Sequence, residues 1–315
     1  MGASYLRSHR QVGATRDSKK KAANNPFAMS FGATASSTIH LESAMTKLFI
    51  PCVPKYLPAS RAAEAVQLAT QINPANAAVH RSVMRTPVGR HGGKARLALL
   101  IASRWPTTGI KLTVKFLDSA PRDLQKRILL HMNAWGKTAN VHFALTSGHA
   151  QVRITRLNSP EDMAGYWSYV GTQILGIKDQ NEPTLNLEDF TMKVSESEFH
   201  RVVRHEAGHT LGFEHEHMRS GIVKLIDRDK AFRYFDETQG WSKKETLEQV
   251  LTPLRNKSLM GTTESDPLSI MCYQLPAAIM KNGKPIPGGR DINKRDYTFA
   301  SFCYPKKISA PRTIR

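Results

Sequence analysis

The stretch His205–His217 reads HEAGHTLGFEHEH, and its spacing decides which fold the chain can adopt. On an α-helix, residues four apart project from nearly the same face, so His205 and His209 can direct their ring nitrogens at one point. Gly212 allows the helix to stop and the backbone to turn, which brings His215 back towards that point. The stretch therefore predicts three imidazoles around one metal ion, at a spacing typical of zinc hydrolases.

Glu206 lies beside this ligand pair, where a carboxylate can take a proton from a water at the metal without joining the coordination shell. A helix that only exposes polar histidines needs neither this glutamate nor Gly212, so a zinc-dependent peptidase is the favoured interpretation. His217 and His200 are surplus to a tetrahedral site. We expect them to be surface residues or outer partners of the ligands.

The helix that carries the ligands is predicted from local rules. Ser195 and Glu198 have the spacing of a capping box at a helix start. An apolar face follows at helical spacing; it consists of Phe199, Val202, Val203, Ala207 and Leu211. We expect a helix over about residues 196–211 that ends at Gly212, with the ligands on a buried and well-anchored element.

A second motif lies downstream, where the segment Ser269–Tyr273 reads SIMCY. Together with His-Glu-x-x-His-x-x-Gly-x-x-His, it resembles the metzincin clan of zinc endopeptidases, in which a methionine-containing turn lies beneath the metal. Within that clan the chain is most similar to the astacin-like family, because Glu216 directly follows the third histidine and Tyr273 follows Met271 by two residues. The resemblance covers about residues 95–305.

The resemblance implies an α+β fold of the metzincin-like zincin type, with a twisted sheet and two helices above the cleft and a mainly helical or irregular lower subdomain. It implies one zinc ion per chain and three ligands: His205, His209 and His215. Glu206 would be the general base, Met271 the turn methionine, and Tyr273 a switchable fifth ligand or a donor to the oxyanion. Glu216 would help to receive a new N-terminus after processing. Protein or peptide substrates would lie extended across the cleft, pair with a sheet edge and be cut internally.

The composition suggests two other functions. The chain of 315 residues has 45 Lys and Arg against 26 Asp and Glu, and its net charge of +19 attracts polyanions. A basic nucleic-acid-binding protein is one alternative, but the sequence has no helix-turn-helix pattern or zinc-finger spacing, so no specific nucleic acid is expected. A non-catalytic zinc-binding module is the other alternative, which Glu206 disfavours. The oligomeric state and the cleavage specificity stay open.

The sequence offers no membrane or secretory signal that we recognise. No apolar stretch approaches the roughly eighteen residues of a membrane span, so no transmembrane segment is expected. The N-terminus shows no continuous apolar segment after its basic residues, as a conventional signal peptide would. Export by a route without such a signal is the favoured expectation, and the compartment stays open.

Three cysteines are too few for a disulfide framework. Cys272 and Cys303 could pair, but reduced buried thiols are an equal alternative. Cys52, in the sequence PCVP, is distantly similar to the cysteine that caps zinc in some metzincin propeptides. We favour an ordinary packed apolar cysteine at this position and keep the zinc-capping thiol as the alternative.

Composition divides the chain into four parts. Residues 1–45 predict a disordered or targeting segment, residues 46–91 an N-terminal extension and possible propeptide, residues 92–308 the zinc metallopeptidase domain, and residues 309–315 a tail. Within the extension we expect a helix over 60–72, and a glycine-bearing linker over 86–94.

Elements of the catalytic domain follow from periodicity. We expect strands over 112–116, 141–145 and 152–155, an aromatic strand within 165–171, and a helix after Pro121. Beyond the zinc motif we expect helices over 227–235, from Ser242 to about Leu251, and over 291–302.

Overall fold

The computed structural model describes residues 52–77, 103–160, 163–254 and 264–306. The predictions for residues 1–45, for the linker 86–94 and for the tail 309–315 lie outside these described residues. The predicted helix over 60–72, in contrast, is present. It runs over Ala62–Ile72, after a short 3-10 turn at Ala59–Arg61, and we label it α1.

Five strands form one mixed sheet. They are β1 (Ile110–Phe116), β2 (Val141–Leu145), β3 (Val152–Thr155), β4 (Tyr166–Ser168) and β5 (Leu185–Leu187). Their order across the sheet is β2-β1-β3-β5-β4. The first four in this order are parallel, and β4 pairs antiparallel with β5. Among the described strands, β4 therefore lies at an edge of the sheet.

Burial explains which strands the sequence pattern could predict. In β1, apolar residues alternate with more exposed ones, as expected for a strand with one covered face. All residues of β3 and β5 are buried, so both faces of these two strands are covered. β5 is only three residues long, which is too short for a periodicity, and the sequence analysis did not predict it.

Helices occur along the chain both before and after the zinc motif. Besides α1, they are α2 (Arg122–Met132), α4 (Ser220–Val223), α5 (Arg228–Gln239), α6 (Lys243–Thr246) and α7 (Lys294–Cys303). The helix with the ligands, α3, consists of Glu196–Glu198, a π-helical segment Phe199–Val203, and Arg204–Thr210. A π-helical segment Leu247–Leu251 continues α6, as predicted to Leu251. None of the helices in the described parts combines the length and apolar character needed to cross a bilayer.

Two large apolar cores and a smaller cluster of Leu57, Ala65 and Ile177 lie in the described part of the chain. The larger core joins the strands to α2, α3 and α7, with side chains such as Leu124, Phe143 and Phe199 almost fully buried. A second core consists mainly of residues after the zinc motif, among them Phe235 and Leu275. The α+β expectation is confirmed: a sheet packed with helices, followed by a mainly helical and irregular part. The helix predicted over 227–235 is one turn longer than expected, because Gly240 in the left-handed region ends it only after Gln239.

Candidate metal centre

Helix α3 is held at both ends by specific hydrogen bonds. Ser195 accepts from the Glu198 backbone N–H and so caps the helix start, as its position predicted. Between the middle of the helix and the residue after its end, three aromatic side chains donate to backbone carbonyls. The donors and acceptors are Trp135 Nε1 to Arg204 O (2.8 Å), Trp105 Nε1 to Thr210 O (2.9 Å) and Tyr304 Oη to Leu211 O (2.6 Å). His205 and His209 therefore lie on a buried helix whose C-terminal half is fixed by hydrogen bonds.

The three predicted ligands converge on one point. The Nε2 atoms lie 3.1 Å apart in the pair His205 and His209, 3.2 Å apart in the pair His205 and His215, and 3.0 Å apart in the pair His209 and His215. A tetrahedral ion with bonds of 2.0–2.1 Å to nitrogen requires such atoms to be roughly 3.3 Å apart. The arrangement therefore fits a zinc ion at its centre with only slight expansion.

Backbone carbonyls determine which ring nitrogens face the metal. His205 Nδ1 lies 2.6 Å from Ile270 O, and His209 Nδ1 lies 2.7 Å from Phe213 O. Because a carbonyl oxygen only accepts, each of these rings carries its proton on Nδ1 and directs the Nε2 lone pair at the centre. Burial lowers the pKa of His205 to about 4 and that of His209 well below its ordinary value. The rings are therefore neutral at pH 7, the form that binds a metal.

Two glycines of the motif are required by geometry. Gly212 has a φ of +93°, in the left-handed region, and this turn leads the chain from the helix end back to His215. A Cβ atom at Gly208 would come within 2.5 Å of the Met271 sulfur. Helix α3 can therefore lie directly against Met271, which is almost fully buried beneath it.

The turn around Met271 is fixed by α7. Asp296, at the start of α7, accepts from Ser269 Oγ at 2.6 Å and from the Ile270 backbone N–H at 2.9 Å. Ile270 O is the acceptor for His205, so the buried Asp296 carboxylate helps to position a predicted ligand through the backbone of Ile270. On the other side of the turn, the Glu216 backbone N–H donates to Met271 O at 2.8 Å.

The Glu216 carboxylate has partners within the described part of the chain. Its Oε1 atom lies 2.5 Å from Arg219 Nε and accepts from the Asp266 backbone N–H at 3.0 Å. Its expected role in receiving a new N-terminus stays a prediction, and any incoming amine would join or displace these two donors.

Glu206 is only 1% exposed and lies at the metal centre on α3. Burial raises the pKa of this carboxyl to about 8, while a hydrogen bond from the Cys52 thiol and the charge of Arg201 lower it. A carboxyl whose pKa lies near neutrality can both accept and deliver a proton. A cation held by the three imidazoles would oppose this shift and favour the carboxylate, the form that a general base requires.

Tyr273 and His217 form a stacked pair next to the third ligand. Their ring centroids are 4.0 Å apart with an interplanar angle of 18°, and the Tyr273 ring lies 4.4 Å from the His215 ring. His217 is fully buried, with Nε2 2.9 Å from Gln249 O. Of the two expectations for His217, a surface residue or an outer partner of the ligands, the burial of its ring excludes the first and agrees with the second. His217 is an outer partner of the site that holds Tyr273 in place.

Cys52 lies within the metal centre. Its sulfur and the ring nitrogens of the three histidines are all within 4.8 Å of one another. The thiol is 6% exposed and close enough to Glu206 that the carboxylate charge and hydrogen bond add to burial in raising the thiol pKa well above its ordinary value. The favoured interpretation as an ordinary packed cysteine therefore does not account for the three histidines and the carboxyl around Cys52. Cys272 and Cys303 are buried, unpaired thiols.

The segment after Cys52 extends the sheet at its β4 edge. The Val53 and Lys55 backbone N–H groups donate to Tyr166 O and Ser168 O at 3.1 and 2.9 Å, and Val170 N–H donates to Lys55 O at 3.2 Å. The bridges between the two stretches are parallel. Sequence reasoning noticed the thiol but had no signal for this pairing.

Side chains and α1 anchor the same segment. Tyr56 Oη donates to Glu214 Oε2 at 2.8 Å, and the Leu57 backbone N–H donates to Gln173 Oε1 at 2.8 Å. Leu57 is 2% exposed and packs with Ala65 of α1 and with Ile177. The segment Cys52–Leu57, which we call the docked strand, is thus fixed by backbone, polar and apolar contacts.

Comparisons with known proteins give one family model and several solved structures. The sequence matches the family model of the astacin peptidases over residues 99–282. A solved structure described as "Structure of myroilysin" superposes with a TM-score of 0.61 at 29% identity, and the match covers 66% of this chain and 98% of that chain. A crystal structure of myroilysin gives a TM-score of 0.49 at 29% identity, with 65% and 86% covered.

A more distant match is high choriolytic enzyme 1, a hatching enzyme zinc-protease from Oryzias latipes (medaka fish). Its TM-score is 0.42 at 15% identity, and the match covers 63% of this chain and 90% of that chain. The search of curated proteins gave no match.

Proposed function

The chain belongs to the astacin family of peptidases, and on that premise we propose that His205, His209 and His215 hold one zinc ion and that Glu206 is the general base. The predicted family is confirmed, and the protein is a zinc-dependent endopeptidase that acts on protein or peptide substrates. The observation that carries the residue assignment is the convergence of three neutral imidazoles at 3.0–3.2 Å beside a buried carboxyl.

When bound by these residues, zinc supplies a water of lowered pKa and a Lewis acid that polarises the scissile carbonyl. Glu206 is placed to accept the proton of the attacking water and to deliver it to the leaving amine. Burial favours this second step, since it raises the carboxyl pKa and makes the protonated form accessible. Tyr273, stacked on His217, is proposed to donate its hydroxyl to the developing oxyanion.

The edge of β4 is the proposed binding surface for the substrate backbone. Three backbone groups of this edge, Tyr166 O, Ser168 O and Val170 N, pair with the docked strand. The same groups can pair with any extended peptide, whatever its side chains, because main-chain hydrogen bonds carry no sequence information. A substrate and the docked strand cannot occupy this edge together.

We propose that the docked strand keeps the full chain latent. The Cys52 sulfur is a fourth metal ligand in this account, and it occupies the position that water needs. A thiol is deprotonated when it binds zinc, so the ion would reverse the effect of burial on the Cys52 pKa. The strand also covers the β4 edge and brings its thiol against Glu206. The docked strand then blocks the metal, Glu206 and the β4 edge at the same time.

Residues 46–91 are on this basis proposed to be a removable extension. A chain that begins near residue 92 should be folded and at least as active as the full chain. Removal of the extension would expose Ile177, the apolar partner of Leu57, so some loss of stability is expected. A shortened chain that fails to fold would show that the extension belongs to the core.

The function is tested with the full chain carrying Cys52→Ala, so that latency does not obscure the result. An unstructured protein is incubated with this variant and with Cys52→Ala/Glu206→Gln, the products are identified by mass spectrometry, and zinc is counted in both samples. We expect about one zinc per chain in each, and internal cleavage only where Glu206 is present. Loss of zinc together with activity would make Glu206 a ligand. Zinc without cleavage in either variant would favour a non-catalytic zinc module.

Latency is tested by comparing the wild-type full chain with Cys52→Ala. We expect activity to rise at least tenfold in the variant, because zinc regains an open position, while the zinc content stays the same. Cys303→Ala is the matched control, since it removes another buried thiol outside the centre. Equal activity of wild type and Cys52→Ala would leave the peptidase assignment intact and reject the latch.

A further inference from the structure

A second group of potential metal ligands lies at the start of α3, outside the candidate metal centre. It consists of His131 on α2 with Glu196 and His200 on α3. Glu196 Oε1 lies 3.2 Å from His131 Nε2 and 3.3 Å from His200 Nε2. All three ligand atoms are within 4.8 Å of one another. The two distances from Glu196 Oε1 are close to the 3.0–3.2 Å among the three histidines of the metal centre.

Neighbouring charged side chains orient Glu196 and His200 for ligation. Arg127 Nη2 holds Glu196 Oε2 at 2.6 Å, so that the other oxygen, Oε1, faces both imidazoles. Asp291 Oδ2 lies 3.2 Å from His200 Nδ1. A carboxylate at Nδ1 keeps the ring proton there and directs the Nε2 lone pair away from it, as it does for many metal-bound histidines. Glu196 is also 59% exposed, so an ion can reach the group from solvent.

His131 is the buried member of the group. Its side chain is 2% exposed, and its Nε2 atom has no well-aligned hydrogen-bond partner within the described residues. Burial lowers the pKa of this ring to about 4, so the ring is neutral at pH 7 and either nitrogen can carry its single proton. A buried, neutral ring nitrogen that faces a carboxylate oxygen is suited to share a cation with it.

We propose that His131, Glu196 and His200 form a second site for a divalent transition-metal ion such as Zn²⁺. Two imidazoles and one carboxylate are a common ligand set for this ion, and the exposed side leaves room for water as the fourth ligand. The ion would join α2 to α3, because one ligand lies on α2 and two lie on α3.

Arg204 sets the affinity of this site. Its Nε atom donates to His131 Nδ1 at 3.3 Å, while its Nη1 atom is held by Asp291 at 2.6 Å. For His131 Nε2 to bind a metal, the ring proton must move to Nδ1 and the bond from Arg204 must break. The positive charges of Arg127 and Arg204 also oppose a cation. The second site is therefore weaker than the three-histidine centre.

The test counts metal on the full chain carrying Glu206→Gln, in which self-cleavage is suppressed. Zinc is titrated by calorimetry, and the bound ions are counted after gel filtration in zinc-containing buffer. We expect two ions in this parent, and one ion when His200→Gln or Glu196→Gln is added. His142→Gln, which removes an exposed histidine elsewhere, is the matched control and should keep two. A parallel His209→Gln sample identifies the ion of the three-histidine centre.

Arg204→Gln gives a finer test of the same site. Glutamine can accept the Nδ1 proton of His131 where arginine opposes it, so the second ion should bind at least threefold more tightly. Binding that weakens would contradict ligation through His131 Nε2. A single ion in the parent, or a second ion that survives both His200→Gln and Glu196→Gln, would overturn the proposal.

Discussion

Two groups of potential metal ligands have members on helix α3 and differ in what surrounds them. At the carbonyl end of α3, His205 and His209 direct Nδ1 at backbone carbonyls and are almost fully buried. At its start, His200 is 30% exposed and pairs with Glu196 and Asp291. Both groups bring ring nitrogens to a common point, yet only the first is insulated from charged side chains of the helix surface.

The difference accounts for the two affinities that we propose, a strong three-histidine site and a weaker site within an ion-pair network. Carbonyl acceptors fix the ring proton without adding a charge, and burial keeps the ring neutral and ready to bind. Arginines do the opposite, since they satisfy carboxylates that would otherwise bind a cation. We therefore expect substitutions in the first group to be far more damaging than those in the second.

The largest effect is expected from His209→Gln. This buried residue is one of the three proposed ligands, and its loss should reduce zinc affinity by more than the roughly 10–100-fold expected when an outer partner of a ligand is removed. Peptidase activity in the Cys52→Ala background should vanish with the zinc, and the melting temperature should fall, because zinc binding stabilises the folded chain. His200→Gln should retain the first zinc ion and the activity. Equal losses in the two variants would remove the distinction between the groups.

A smaller effect is expected from Tyr273→Phe, again in the Cys52→Ala background. If the hydroxyl stabilises the transition state by roughly 3–4 kcal/mol, kcat should fall about a hundredfold or more. KM and zinc content should change little, because the ring still stacks on His217. Steady-state kinetics with a peptide substrate measure this, and an unchanged kcat would reduce Tyr273 to a packing residue.

The smallest effect is expected from Glu196→Gln without added metal. Its ion pairs with Arg127, His131 and His200 are partly exposed, and such pairs contribute about 0–1 kcal/mol. The free energy of unfolding in urea should therefore change by less than about 1 kcal/mol, with activity preserved. A loss of several kcal/mol would mean that the group at the start of α3 is structural in its own right.

Local rules explain why much of the site could be predicted from the sequence. The spacing of His205 and His209, the cap at Ser195 and the turn at Gly212 all act within one or two helical turns. The resemblance to metzincins then predicted that Tyr273 belongs to the site, although it lies far from the helix along the chain. The structure brings His205, His209 and His215 together with Tyr273 beside them, while Ser195 caps the other end of the helix.

Other features could not be predicted because they depend on distant parts of the chain. The docked strand reaches β4 from more than a hundred residues away, and its hydrogen bonds involve backbone atoms that carry no sequence signal. The burial of His217 depends on the stacking partner Tyr273 and on Gln249 O. The group around Glu196 likewise joins side chains from α2 and α3 that no local pattern connects.

X-ray absorption at the zinc edge of the full chain, loaded with one zinc ion, tests the central claim most directly. The account predicts three nitrogen ligands at about 2.0–2.1 Å and one sulfur at about 2.3 Å. Cys52→Ser should lose the sulfur and keep the three nitrogens, whereas Cys303→Ser should leave the spectrum unchanged. A wild-type spectrum without sulfur would contradict the latch, and a spectrum with fewer than three imidazole nitrogens would contradict the metal centre itself.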